Sequence, residues 1–259
     1  MATTHWITQG KGGVGKSLVA SLLAQDIQQR FEEHGMKGQA KELVPCFDTD
    51  PVNATLAGYT ALNVTTVSVT DETGMEIDDR KFDGLIEQLV ELPSNAHAII
   101  DNGASSFLKL CNYTKTSGAF DLLRENGCDV LLHTVVTGGQ AVVDTLNGMD
   151  ALVANFAGNP IAVWRNSYFG PVEVNGVDLE QLQLWEDHMA HIEALVTIPC
   201  LSAATYGVDL RNLFSRRQTF AEAAADSTLN LMERHRLREF WKKMRAELAA
   251  RLLLEVGHE

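Results

Sequence analysis

Short apolar runs alternate along this chain with longer stretches whose apolar residues repeat at helical spacing. The pattern predicts strands over 5–9, 43–47, 63–69, 96–100, 129–136, 160–165 and 194–198. Helices are predicted over 17–31, 82–92, 107–125, 140–156 and 179–191, and as one long helix from 228 to about 254. In the second of these helices Phe82, Leu85, Ile86, Leu89 and Val90 share one face. The strand at 63–69 alternates Val and Thr, as a half-exposed strand does; 71–74 reads as a turn, with 75–77 returning as a short antiparallel partner. Residues 168–176 read as a loop. Alternating strands and helices of these lengths predict an α/β fold, a mostly parallel sheet flanked by helices.

Composition narrows the class. The 259 residues are 45% hydrophobic, enough for a full core, and no Pro/Ser-rich linker divides them. One domain over 1–259 is expected, ending in an amphipathic helix over 228–255. No apolar run is long enough to span a bilayer, and the start of the chain reads as a strand rather than a signal peptide. The four cysteines are widely spaced with no C-x-x-C pair, which suggests reduced thiols and a cytoplasmic protein. A net charge of −13 argues against a protein that coats nucleic acid. The charge is uneven: residues 211–251 hold ten Arg/Lys against five Asp/Glu.

Chemistry concentrates in Gly10-Lys11-Gly12-Gly13-Val14-Gly15-Lys16-Ser17, which satisfies G-x-x-x-x-G-K-[ST] between a predicted strand and a predicted helix. That context aims backbone N–H groups and the positive end of a helix dipole at one spot, which suits a nucleotide phosphate. Lys16 is placed to reach the β- and γ-phosphates, and the Ser17 hydroxyl to ligate magnesium. Asp48 and Asp50 follow the second predicted strand and Asp101 the fourth, at the carboxyl ends where ligands collect in parallel sheets. Each acid alone reads better as a turn or N-cap residue. Two strand-terminal acidic motifs beside a phosphate loop point instead to a metal site and a positioned water.

The loop has the form K-G-G-x-G-K-[ST] and resembles the deviant Walker A loop of the ParA/MinD family of P-loop ATPases, a likeness that runs from Trp6 to about Cys200. Asp48-Thr49-Asp50-Pro51 resembles that family's D-x-D-P switch I, and Asp101-Asn102-Gly103-Ala104 its D-x-x-[GA] switch II. The resemblance implies ATP held by Gly12, Gly13, Val14, Gly15, Lys16 and Ser17. It implies Mg2+ held by Ser17, Asp48 and Asp101, with Asp50 orienting the attacking water. Lys11 would reach across an ATP-driven homodimer, so Asp50, Lys11 and Lys16 form the expected catalytic set. Asn166 is the expected base contact, with Ile198-Pro199 beside the adenine. Segments 9–17, 47–55, 133–143 and 164–171 further resemble the TraL-type proteins of conjugative plasmids. That likeness implies a cytoplasmic nucleotide-binding protein encoded with a transfer or stability region. The sequence departs from the wider pattern at Val52, where Gln is usual, at Asn102 in switch II, and at Trp164 near the base.

A slow Mg-dependent ATPase is therefore expected, dimerising with ATP and engaging a conjugation or plasmid-maintenance protein. The alternative is a nucleotide-gated binding module with negligible hydrolysis. In the long final helix Leu229, Met232, Leu237, Phe240, Trp241, Met244 and Leu248 form an apolar stripe opposite Arg234, Arg236, Arg238, Lys242, Lys243 and Arg245. Three readings stay open for it: a packed helix with a solvated basic face, a non-specific DNA contact, or, less favoured, a membrane-surface helix. His188 and His191 have metal-like spacing, but an exposed polar face is the favoured reading, since Leu182, Leu184, Trp185 and Ile192 can supply the buried side. No cysteine pair flanks switch II as a bridging iron–sulfur cluster requires, and no G-x-S-x-G elbow surrounds Ser105 or Ser106.

Overall fold

The computed structural model describes residues 1–50, 52–72, 77–252 and 254. Seven parallel strands form the sheet: β1 (Ala2–Ile7), β2 (Cys46–Asp48), β3 (Val64–Thr66), β4 (His97–Asp101), β5 (Cys128–Thr137), β6 (Ile161–Asn166) and β9 (Ile192–Thr197). Their order is β3-β2-β4-β1-β5-β6-β9, with a separate hairpin of β7 (Glu173–Val174) and β8 (Val177–Asp178). The principal helices are α1 (Lys16–Glu33), α3 (Asp83–Val90), α4 (Phe107–Ser117), α5 (Ala119–Glu125), α6 (Val142–Phe156), α8 (Tyr206–Ser215), α9 (Phe220–Ala225) and α10 (Leu231–Arg251); α2 (Ala40–Leu43) and α7 (Gln183–His188) are short. The α/β expectation is thus met, and each predicted core strand exists.

Alternate side chains of the central strands enter two separate cores, as expected for a parallel sheet buried on both faces. One core joins Ile7, Ile99 and Trp164 to α1 and α10; the other joins Trp6, Ile100 and Val163 to α3, α4 and α6. Three histidines lie in the first layer, on neighbouring strands. His97 Nδ1 is 3.0 Å from His5 Nε2, and His5 Nδ1 is 3.0 Å from His133 Nε2. Trp164 Nε1–H donates to His133 Nδ1 at 3.0 Å. Indole is only a donor, so it fixes a neutral His133 with its proton on Nε2. Burial lowers His5 well below the ordinary histidine range and His133 to about 3.

Element boundaries differ from expectation for local reasons. β1 runs over 2–7 rather than 5–9, because buried Thr4 serves it as a polar core residue: Thr4 Oγ1 accepts from Trp6 Nε1 and donates to the Asp129 carbonyl. Leu43 belongs to α2, so β2 starts at Cys46. The predicted helix 107–125 breaks at Gly118, whose φ of 68° is left-handed. The predicted helix 179–191 is three short pieces. α8 and α9 lie between 199 and 227, where no element is predicted, and the β7–β8 hairpin turns at Asn175-Gly176, so that β7 falls within the predicted loop 168–176. An isolated antiparallel bridge joins Thr70 and Ile77, while residues 73–76 of the predicted turn and return lie outside the described residues. The final helix begins at Leu231, not 228, because Asn230 caps it with Glu233 in a reciprocal box; residues 253 and 255 of its predicted end also lie outside the described residues.

Candidate nucleotide site

The chain leaves β1 at Ile7, at the centre of the sheet. Successive crossovers from β1 and β5 run to opposite sides, which opens a crevice at the carboxyl ends of these strands. Residues 8–15 turn there into the N-terminus of α1. Gly13 and Gly15 have φ of 74° and 108°, left-handed values that β-carbon-bearing residues avoid. Gln9 anchors the start of the turn: its buried amide donates to the Val135 and Thr145 carbonyls, both at 3.0 Å. Lys16 is buried at the start of α1, and its ammonium donates to the Lys11 carbonyl at 3.2 Å. Burial lowers the Lys16 pKa, against the opposing pull of Asp101 and Asp50.

The acids converge on this turn as expected. Asp48 and Asp101 are register partners on β2 and β4, both buried. Their environments differ. Asp48 Oδ1 accepts from the Asp50 N–H at 3.1 Å and Oδ2 from the Ala57 N–H at 3.0 Å. Burial raises Asp48 above the usual carboxylate range, and those backbone donors offset part of the shift. Asp101 accepts a hydrogen bond from the Ser17 hydroxyl, yet its Oδ2 is buried with no partner. Burial pushes Asp101 up to about 7, with the Ser17 hydrogen bond opposing and Asp48 adding to the shift. Asp50 Oδ1 accepts from the Val52 and Asn53 N–H groups at 2.9 and 3.0 Å, an Asx-type turn at the rim of the site. Pro51, the last residue of the D-x-D-P string, lies outside the described residues.

Lys11 and Asn166 are engaged within the chain. The Lys11 ammonium pairs with Asp144 of α6 at 2.7 Å, with both side chains half exposed. The buried Asn166 amide donates to the Val14 carbonyl at 2.9 Å, and its Oδ1 accepts from the Tyr168 N–H at 3.1 Å. Asn166 also packs where a β-carbon on Gly15 would sit, 2.9 Å from its Nδ2. It therefore holds the glycine turn in place. A cavity of about 550 Å³ opens there, bounded by Asn166, Tyr168, Ile198, Pro199 and Tyr206. A second, of about 540 Å³, lies over Lys16, Ser17 and Asp50.

Several residues here were not singled out from sequence. Asn102, noted only as a departure, is a fully buried hub: its Oδ1 accepts from Thr49 and Ser106 hydroxyls at 3.1 and 2.9 Å, tying the ends of β2 and β4 together. Its place directly after a strand-terminal acid was the available signal. Asp144, Arg211 and Arg217 reach the site from elements distant in sequence, which no local pattern announces. The glycine pair Gly138-Gly139 has a packing role. A β-carbon on Gly138 would lie 2.2 Å from the Gly170 carbonyl, so the loops after β5 and β6 meet backbone to backbone.

Other candidates resolve by packing. Of the basic face of α10, Arg236 pairs with Asp209 at 2.5 Å, and Arg245 binds Asp26 at 3.0 Å and Glu33 at 2.7 Å. The stripe residues Leu237, Phe240, Met244 and Leu248 are buried in the core, whereas Met232 is 54% exposed, contrary to the predicted stripe. His188 pairs with Asp150 and His191 with the Ala157 carbonyl, so the two point to different partners. Among the described residues no cluster of His, Cys, Asp or Glu could hold a metal by itself, and no helix is long and apolar enough to cross a membrane.

A G-x-x-x-x-G-K-[ST] turn between the central strand of a parallel sheet and the helix that follows it gives the protein the α/β architecture of a P-loop fold. In sequence it is 43% identical over 249 residues to a protein TraL of Escherichia coli, covering 96% of this chain and 98% of that one. A second Escherichia coli protein TraL is 41% identical over 239 residues, covering 92% of this chain and 93% of its own length. The chain belongs to the TraL family. No protein-family model matches it. Among solved structures, the MinC:MinD cell division protein complex of Aquifex aeolicus covers 100% of this chain and 98% of its own, at 11% identity and a TM-score of 0.48. MinD of the same organism covers 95% of this chain and 97% of its own, at 12% identity and a TM-score of 0.44.

Proposed function

We propose that this protein is a slow Mg-dependent ATPase, a single nucleotide-binding domain that acts in the cytoplasm in plasmid conjugal transfer or stability. The observation that carries the reading is the buried, partnerless Oδ2 of Asp101, beside the Ser17 hydroxyl and within the field of Lys16 at the N-terminus of α1. A buried carboxylate oxygen without a donor is costly unless a ligand completes it. A magnesium ion or its water shell suits that oxygen, since hard cations take carboxylate and hydroxyl ligands.

In this reading the N–H groups of residues 12–17 and the Lys16 ammonium bind the β- and γ-phosphates. Ser17 and Asp101 face the ion, which neutralises phosphate charge when bound. Asp48 acts on the same shell while holding the switch I backbone through its two amide contacts. Asp50 orients the attacking water. Asn166 braces the loop and borders the base cavity. Lys11 leaves Asp144 and neutralises phosphate charge across an ATP-bound homodimer. A conjugation or plasmid-maintenance protein is the proposed partner. Non-specific DNA is a weaker reading, carried by Arg234, Arg238, Lys242 and Lys243. The membrane reading is weaker, because the apolar stripe of α10 is packed in the core.

One observation favours the alternative, a nucleotide-gated binding module with negligible hydrolysis. Asp50 is occupied by two backbone donors and Lys11 by Asp144, so neither is poised for chemistry within one subunit. Titration of Mg-ATP into wild type and Lys16→Ala tests nucleotide binding, with binding lost in the variant as the expected result. Equal affinity in both proteins would refute the site. Single-turnover hydrolysis then separates the enzyme from the module.

A further inference from the structure

Arg217 stands where the two cavities meet. They share a wall of Gly13, Gly15, Leu18, Phe214 and Arg217, in which Arg217 is the charged member. It comes from the turn between α8 and α9, remote in sequence from the phosphate loop and the acidic motifs. Its backbone φ is 53°, left-handed for a residue with a long side chain. The stem lies against Gly58, where an added β-carbon would sit 2.8 Å from Arg217 Cγ. Its Nη1–H donates to the Phe214 carbonyl at 2.6 Å. Its charge acts on the neighbouring Tyr59 hydroxyl. Among the described residues no carboxylate forms an ion pair with it. A half-buried guanidinium has five N–H donors, so this one retains unused donors facing a junction between a base-sized and a phosphate-sized space.

We infer that Arg217 binds the phosphate chain of a nucleotide in cis, at the end nearest the ribose, and through its stem on Gly58 links the bound nucleotide to the segment after switch I. The inference rests on the nucleotide reading above and adds a cation that the phosphate loop does not supply. Planar guanidinium donors suit phosphate oxygens. A contact on the ribose side explains why the residue borders both cavities rather than only the one over Lys16.

The test titrates Mg-ADP into wild type, Arg217→Gly and Arg217→Lys, and melts each protein without nucleotide. Glycine tolerates the left-handed φ, so Arg217→Gly should fold with an unchanged or higher melting temperature. Its ADP affinity should fall about ten- to a hundredfold, the worth of a charge-assisted hydrogen bond. Arg217→Lys should recover part of that loss. A loss below about threefold in Arg217→Gly, with wild type binding normally, overturns the contact. Arg217→Met keeps an apolar stem on Gly58 without the charge; if it recovers as much affinity as Arg217→Lys, the loss belongs to the stem and the contact is overturned. Failure of wild type to bind ADP would instead overturn the nucleotide reading itself.

Discussion

The Lys11 ammonium lies 2.7 Å from the Asp144 carboxylate of the same chain. The pair is half exposed, so it is worth about 0–1 kcal/mol and exchanges readily for a stronger anion. Lys11→Ala should spare ADP binding by the monomer and weaken ATP-dependent dimerisation. Asp144→Asn should do the reverse, strengthening the dimer by up to about fivefold, because the lysine starts unpaired. Sedimentation with a non-hydrolysable ATP analogue measures both. The same ATP-driven dimer in Lys11→Ala would remove the trans-acting lysine.

Asp50→Ala should keep ATP binding and lose single-turnover hydrolysis, since Asp50 sits at the rim and its Oδ1 accepts from backbone N–H groups of its own turn. A parallel fall in binding would show that the Asx turn it makes shapes the phosphate site, and would exchange the roles of Asp48 and Asp50.

Asp101→Asn separates metal from fold. Burial disfavours the Asp101 charge, so the neutral amide should raise the melting temperature of the nucleotide-free protein above neutral pH. Magnesium should then no longer strengthen ADP binding. Unchanged magnesium dependence in the variant would remove Asp101 from the ion's shell.

The histidine row predicts acid sensitivity. Folding lowers the pKa of His133 from 6.5 to about 3, so the native state binds fewer protons than the unfolded chain in that window. Its contribution is complete above about 6.5 and is lost as pH falls toward 3. The urea midpoint should therefore drop between pH 7 and pH 5, measured in the Asp101→Asn background so that Asp101 does not oppose it. His133→Gln should flatten that dependence. An equally steep profile in the variant would exclude His133 as its source.

The packing of α10 predicts that neither duplex DNA nor anionic vesicles are retained at low salt. Were DNA retained, each neutralised phosphate would contribute about −0.9 to the log–log salt slope. Changing Arg234, Arg238 and Lys242 to Gln would then flatten it by up to about 3 units, whereas Arg236→Gln would act only through its lost pair with Asp209.

The sequence by itself determined the layered α/β class, the phosphate loop and the acids that face it. Each of these is local: a periodicity, a glycine turn before a helix, an acid where a strand ends. Hydrophobic runs were legible because a parallel sheet buries both faces of its strands, and the capping boxes at Thr219 and Asn230 were legible in principle as T-x-x-E and N-x-x-E. Less was legible where polar residues do structural work. Thr4, the histidine row and Asn102 read as interruptions of apolar pattern, yet each is buried because partners on neighbouring strands or on the loops that follow them satisfy it. Only the tertiary structure decided that Lys11 meets Asp144, that Asn166 braces Val14, that Arg236 and Arg245 are consumed by ion pairs, and that Arg217 reaches the junction of the two cavities. Those contacts join residues far apart along the chain, and their geometry is set by strand order and helix packing, which no short window of sequence contains.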